Sequence, residues 1–167
     1  MKKPTAIGII QRDRLILALD AQLDRAIQND DSFSVIACVA QGLPDENFDD
    51  IISVAEVCLQ ASLRDDDRSG RLDRSTIIMG LPGTTLHEAK SLASRLIGDF
   101  SLRAAHLQPT SWRTGVTTFP QDGVRVQALI DAAIEAAQDA RMNYSRRNIN
   151  QSRLATLPSA PSKPTSD

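Results

Sequence analysis

Cysteine is nearly absent from this chain. Cys38 and Cys58 are the only two, and two thiols cannot build a disulfide framework. Both lie in apolar-patterned stretches and read as reduced core thiols. A basic excess is missing as well: 19 Lys and Arg stand against 21 Asp and Glu, a formal net charge of −2. That balance excludes a field broad enough to hold nucleic acid or an anionic membrane nonspecifically. Long apolar runs are also lacking. The opening run, Ala6 to Ile10, is too short for a signal segment or a membrane span. The sequence offers no metal-ligand cluster, no nucleophile constellation, no phosphate-cradling glycine loop and no internal repeat, and His87 and His106 stand alone. What is present, 167 residues of which 41% are hydrophobic and 24% charged, suffices for one packed domain with a short appendage. The expectation is a cytoplasmic protein with no nucleic-acid partner and no membrane insertion.

Periodicity then places the elements. From Gln11 to Asn29, Ile16, Leu19, Leu23 and Ile27 recur at three- and four-residue steps and predict an amphipathic helix. Ser32 to Ala40 is short, apolar and β-rich, which predicts a strand buried on both faces. Phe48 to Leu63 is helical again, with Ile52, Ala55, Leu59 and Leu63 on one side. A charged stretch, Arg64 to Arg74, leads into an apolar strand from Thr76 to Leu81 that Pro82-Gly83 closes. Thr85 and Glu88 stand at capping-box spacing before a helix to about Phe100. Trp112 to Phe119 predicts a further strand, and an Ala-rich helix from about Val124 to Asn143 completes the order. Residues 1–10 read as a lead-in, 11–148 as the domain, and 149–167 as a disordered Ser/Pro-rich tail. Strands interleaved with helices, two of them close enough for a hairpin, predict an α+β class, an α/β sandwich with helices covering a single sheet.

The central charged stretch resembles the heart of a GGDEF domain. Arg64-Asp65-Asp66-Asp67 is followed after five residues by Asp73-Arg74-Ser75-Thr76-Ile77, and then by a strand ending Gly80-Leu81-Pro82. That family has an R-x-x-D motif at the same distance before its signature. Thr114 to Gly123 (TGVTTFPQDG) is similar to the family's next strand and turn, and Leu129 to Ala133 running to Ala140-Arg141 resembles its last helix. Four motifs in the right order cover roughly Gln11 to Asn148. The resemblance implies a nucleotide-cyclase-like, mostly antiparallel sheet covered by helices. GGDEF domains join two GTP molecules into cyclic di-GMP, usually as dimers, so a homodimer is compatible with it.

The chain departs from the family where the chemistry is done. In place of the signature glycines stand Asp73 and Arg74, and in place of its acidic pair stand Ser75 and Thr76. Two neutral hydroxyls cannot hold divalent cations against phosphates as carboxylates do. The first strand, which in the family ends in a metal-binding Asp, here ends Val39-Ala40-Gln41, and the guanine-contacting segment shrinks to Gly42-Leu43-Pro44-Asp45-Glu46. Asp49 falls where a second guanine contact would lie. In the last helix Ile134 and Gln138 replace the usual Asp and Tyr. The resemblance therefore implies no catalytic residue, no metal and no cofactor.

The R-x-x-D survives. In the family this pair binds the product, cyclic di-GMP, as an inhibitory site. An arginine fork addresses guanine O6 and N7 or clamps a phosphate, while a carboxylate accepts from guanine N–H groups. Arg64 and Asp67 are thus the candidate ligand residues, with Arg68, Arg71 and Arg74 as auxiliary phosphate contacts. The implied function is a catalytically inactive cyclic di-GMP receptor that signals to a protein partner. Two alternatives stay open. One is an adaptor with the same fold that needs no nucleotide, since Arg64 to Arg74 holds four arginines and four aspartates and a charged hairpin yields such a pair by chance. In that case Arg64 and Asp67 would pair or cap the preceding helix. The other is a working cyclase.

Overall fold

The computed structural model describes residues 12–42, 46, 48–104 and 111–139. Its elements run α1 (Arg12–Gln28), β1 (Phe33–Gln41), α2 (Phe48–Ser62), β2 (Arg68–Arg71), β3 (Thr76–Pro82), α3 (Leu86–Arg103) and β4 (Ser111–Phe119), followed by α4 over residues 126–139. The four strands form one sheet in the order β2-β3-β1-β4, and every pairing in it is antiparallel. The predicted element order and the α+β class are those observed. The lead-in 1–10, the tail 149–167, His106 and positions 43–45 of the shortened segment lie outside the described residues.

The sheet is covered on both faces, which explains why β1 is apolar without alternation. Its residues Phe33, Val35 and Ala37 pack with α1 and α4, whereas Ile36, Cys38 and Ala40 pack with α2 and α3. β3 divides likewise, with Ile78 toward α1 and Ile77, Met79 and Leu81 toward α2 and α3. Both cysteines are buried and free. Burial pushes the Cys38 thiol up to about 12, so it packs as a neutral apolar group.

One sequence expectation is corrected. The buried stripe of α1 is Leu15, Leu19, Gln22, Leu23 and Ala26, while Ile27 is 50% exposed and Ile16 lies at the edge of the core. Both isoleucines sit on the flank of a stripe centred nearer Leu19 and Ala26. Sequence periodicity found the helix but rotated its inner face, because Gln22 and Ala26 do not register as apolar anchors.

Two glycines set how closely the helices approach. A Cβ on Gly115 of β4 would run into the backbone of Ala133 in α4, and one on Gly80 of β3 would meet Leu19 and Gln22 of α1. Thr117 reinforces the α4 contact, its buried hydroxyl donating to the Leu129 carbonyl at 2.9 Å.

Candidate ligand cleft at the helix–hairpin junction

Between the end of α2 and the start of β2 the chain makes a tight turn, Arg64 to Asp67. The Asp67 N–H donates to the Arg64 carbonyl at 3.1 Å, and the Arg64 N–H donates to Asp67 Oδ2 at 2.8 Å. Arg68 closes the turn from its other end, Nη1 donating to the carbonyls of Asp65 (2.7 Å) and Asp67 (2.8 Å). Arg64 and Asp67 are thereby held in a fixed relation by one backbone–backbone bond and one from backbone to carboxylate. Burial raises the Asp67 carboxyl above its ordinary range, and the Arg64 N–H works in the opposite direction.

The turn forms one wall of a cleft of about 290 Å³. Leu81 at the end of β3 and Thr84 just beyond it also line the cavity, as do His87, Glu88, Ser91 and Arg95 of α3. α3 is anchored there by the predicted capping box. The Glu88 N–H donates to Thr85 Oγ1 at 3.3 Å, and the Thr85 N–H donates to Glu88 Oε2 at 2.9 Å. The Thr85 backbone N–H, and after it the Thr85 hydroxyl, hold the Glu88 carboxyl below its ordinary range. Arg64, Arg95 and His87 thus stand around one cavity with two carboxylates. The arrangement suits a polar ligand that carries anionic groups together with N–H donors.

The other arginines named from the sequence go elsewhere. Arg68 commits Nη1 to the turn itself. Arg71 Nε bonds Glu56 Oε1 at 2.9 Å and approaches Asp49 at 3.9 Å, while the guanidinium carbons of Arg71 and Arg74 lie 5.8 and 4.7 Å from the centre of the Phe48 ring. These contacts fasten the β2–β3 hairpin to α2. Neither Arg71 nor Arg74 lines the cleft. Sequence reasoning in turn missed Arg95 and His87. Glu88, Ser91, Leu92 and Arg95 recur at three- and four-residue steps, a signal that reads from sequence as an ordinary solvated helix face.

Residues 73–77, the stretch that resembles a signature in sequence, occupy the hairpin and the first residues of β3. Asp73 Oδ1 accepts from the Ser75 N–H at 2.8 Å and from its hydroxyl at 3.3 Å, and the Ala40 N–H at the end of β1 donates to the Ser75 carbonyl at 2.8 Å. Thr76 is buried and Ile77 is core. This donor set does not fit a divalent cation: its one carboxylate is turned back on its own turn, and the neighbouring ligands are neutral. Among the described residues no three His, Cys, Asp or Glu side chains are grouped to hold a metal, and no helix is long and apolar enough to cross a membrane.

No protein-family model matches the sequence, and no curated protein matches it. Solved structures do. The active GGEEF domain of a diguanylate cyclase from Vibrio cholerae superposes with a TM-score of 0.73 at 16% identity, over 81% of this chain and 93% of that one. The GGDEF domain of DgcB from Caulobacter crescentus, solved in complex with c-di-GMP, gives 0.71 at 10% identity over 86% and 94%. A sensory box/GGDEF family protein from Caulobacter crescentus gives 0.67 at 22% identity over 81% and 95%. At these identities the likeness establishes the fold: the chain has the α+β architecture of GGDEF domains.

Proposed function

We propose that this domain is a receptor for cyclic di-GMP that does not synthesise it, and that it passes the bound state to a protein partner. The observation that carries the reading is the cleft, where the Arg64–Asp67 turn and Arg95 of α3 face one cavity. A guanine ring presents O6 and N7 to an arginine fork and N–H groups to a carboxylate, and the second arginine and His87 suit the phosphates. The signature hairpin supports the negative half of the proposal. Phosphoryl transfer between two nucleotides depends on metal-assisted charge neutralisation, and Asp73, Ser75 and Thr76 offer no carboxylate pair for it. The DgcB domain, of the same fold, was solved with c-di-GMP.

A second reading has its own observation. Asp67 Oδ2 already accepts from the Arg64 N–H, which is what a purely structural turn requires, and a domain keeping only this would be a nucleotide-independent adaptor. Two measurements on the purified protein separate the readings. Calorimetric titration with cyclic di-GMP gives a saturable isotherm for the receptor and no heat for the adaptor. Incubation with GTP and Mg²⁺ or Mn²⁺ gives no cyclic dinucleotide under either, and turnover above a mock purification contradicts both.

A further inference from the structure

The Arg64–Asp67 turn has a second side. The carbonyls of Arg64, Asp65 and Asp67 are taken by the Asp67 N–H and by Arg68, all within the segment itself. The carbonyl of Asp66 is taken from outside: Gln22 of α1 donates Nε2 to it at 2.6 Å, across 44 residues of sequence. Gln22 is an odd residue for its place. It is 1% exposed on a stripe otherwise made of Leu15, Leu19, Leu23 and Ala26, and its Oε1 is buried with no hydrogen-bond partner. A buried acceptor with no protein partner is unfavourable, so packing alone does not explain a glutamine at this core position. Its seat is made by Gly80, where a Cβ would lie 2.5 Å from Gln22 Oε1. On this side the turn borders a smaller cavity of about 180 Å³ between Gln22, Arg25, Asn29, Asp31, Asp66 and Pro82.

We infer that Gln22 is a positioning residue for the ligand cleft: its bond to the Asp66 carbonyl fixes the Arg64–Asp67 turn from behind and couples the position of α1 to the readiness of the cleft. The inference rests on the receptor reading for its ligand, not for its mechanics. One peptide of the turn faces α1, and the flanking side chains Arg64 and Asp67 face the cleft. A displacement of α1 that draws Gln22 away frees that peptide to rotate, and the two ligand groups lose their relation. By reciprocity, a ligand that requires the ordered turn favours the α1 position that supports it.

The test uses the full chain with Gln22→Met and Gln22→Glu. Methionine keeps the length and volume, removes the unpaired Oε1 and cannot donate, so thermal stability should hold or rise while cyclic di-GMP affinity falls about tenfold through lost pre-organisation. Glutamate presents only acceptors to the Asp66 carbonyl when ionised, so titrated on the alkaline side of neutral, against the burial that favours its protonated form, it should weaken binding at least as much. Amide hydrogen exchange at Asp67, whose N–H bonds the Arg64 carbonyl, reads the turn without any ligand and should quicken about tenfold in Gln22→Met. Unchanged exchange at Asp67 overturns the inference, as does quickened exchange with unchanged affinity. A wild type that gives no heat with cyclic di-GMP overturns the receptor reading and the positioning role with it. Quickened exchange then shows that the tether is real and the ligand wrong, which distinguishes the two failures.

Discussion

Asp67 holds Arg64 by its backbone: Oδ2 accepts from the Arg64 N–H at 2.8 Å. The acidic member of the motif therefore orders the turn, and the basic member is left to act through its side chain. Asp67→Asn tests this division. A carboxamide oxygen can still accept from the Arg64 N–H, and the neutral group avoids the desolvation that raises the Asp67 carboxyl. Stability at neutral pH should be kept or improved, while affinity for cyclic di-GMP falls because the base-directed charge is gone. Asp67→Ala should lose both, with a stability cost of about 1 kcal/mol. Chemical denaturation and calorimetry on the two variants check the split.

The cleft also contains two carboxylates that respond to acid in opposite directions. Glu88 is held low by its bonds to Thr85, so its contribution is fully present above its ordinary value of 4.5 and fades as pH falls through the lower folded value. Asp67 is held high, so the folded state binds its proton more readily, and its contribution grows on acidification from neutral toward about pH 4. Glu88→Gln should flatten the loss of stability below about pH 4.5. Asp67→Asn should steepen the net loss over the same range, because the opposing group has been removed. Melting curves between about pH 3 and pH 7 read both slopes. Thr85→Ala, which removes the cap itself, should cost about 1 kcal/mol at neutral pH.

Much of the fold was legible in the sequence because its signals are local. The capping box of α3 needs only Thr85 and Glu88, and the strands β1 and β3 announce themselves as apolar runs ended by turn residues. The candidate site was legible only in part, for the same reason. Arg64 and Asp67 are neighbours whose turn is closed by local bonds. Arg95 reaches the cleft only because α3 packs beside the turn, and Gln22 reaches Asp66 only because Gly80 lets α1 sit close to β3. The charged stretch also groups in sequence what the fold separates. Arg68 locks the turn, and Arg71 and Arg74 lean on Phe48 beyond it, so neighbouring arginines take on separate jobs.

Arg71 provides a control for that separation. Its partner Glu56 is largely buried, with 12% of its side chain exposed. Arg71→Ala should therefore cost about 1–2 kcal/mol of stability, more than an exposed pair and less than a fully buried one. Cyclic di-GMP affinity should change less than about twofold, the ordinary additivity error for sites that share no partner. A large loss of affinity in a folded Arg71→Ala protein would place the hairpin in the ligand site.

The glycines give a paired test of the packing. Gly115→Ala pushes a methyl into the backbone of α4, which cannot move aside as a side chain can, and should cost about 2–3 kcal/mol. Gly98 lies inside α3, where an added methyl would meet nothing within 4 Å, so Gly98→Ala should stabilise by about 0.5–1 kcal/mol. Urea denaturation midpoints should move in opposite directions.

The most direct measurement is titration of cyclic di-GMP into the wild type, Arg64→Ala, Arg95→Ala and Asp65→Ala at one stated salt concentration, after circular dichroism shows all four folded. A saturable isotherm is expected for the wild type. Arg64→Ala and Arg95→Ala should each bind about tenfold or more weakly, the loss expected when an arginine fork is removed, and Asp65→Ala should bind as well or slightly better because a negative charge beside the turn is gone. No heat from the wild type at high micromolar ligand, or equal binding by all four proteins, would contradict the receptor reading and leave the adaptor in its place.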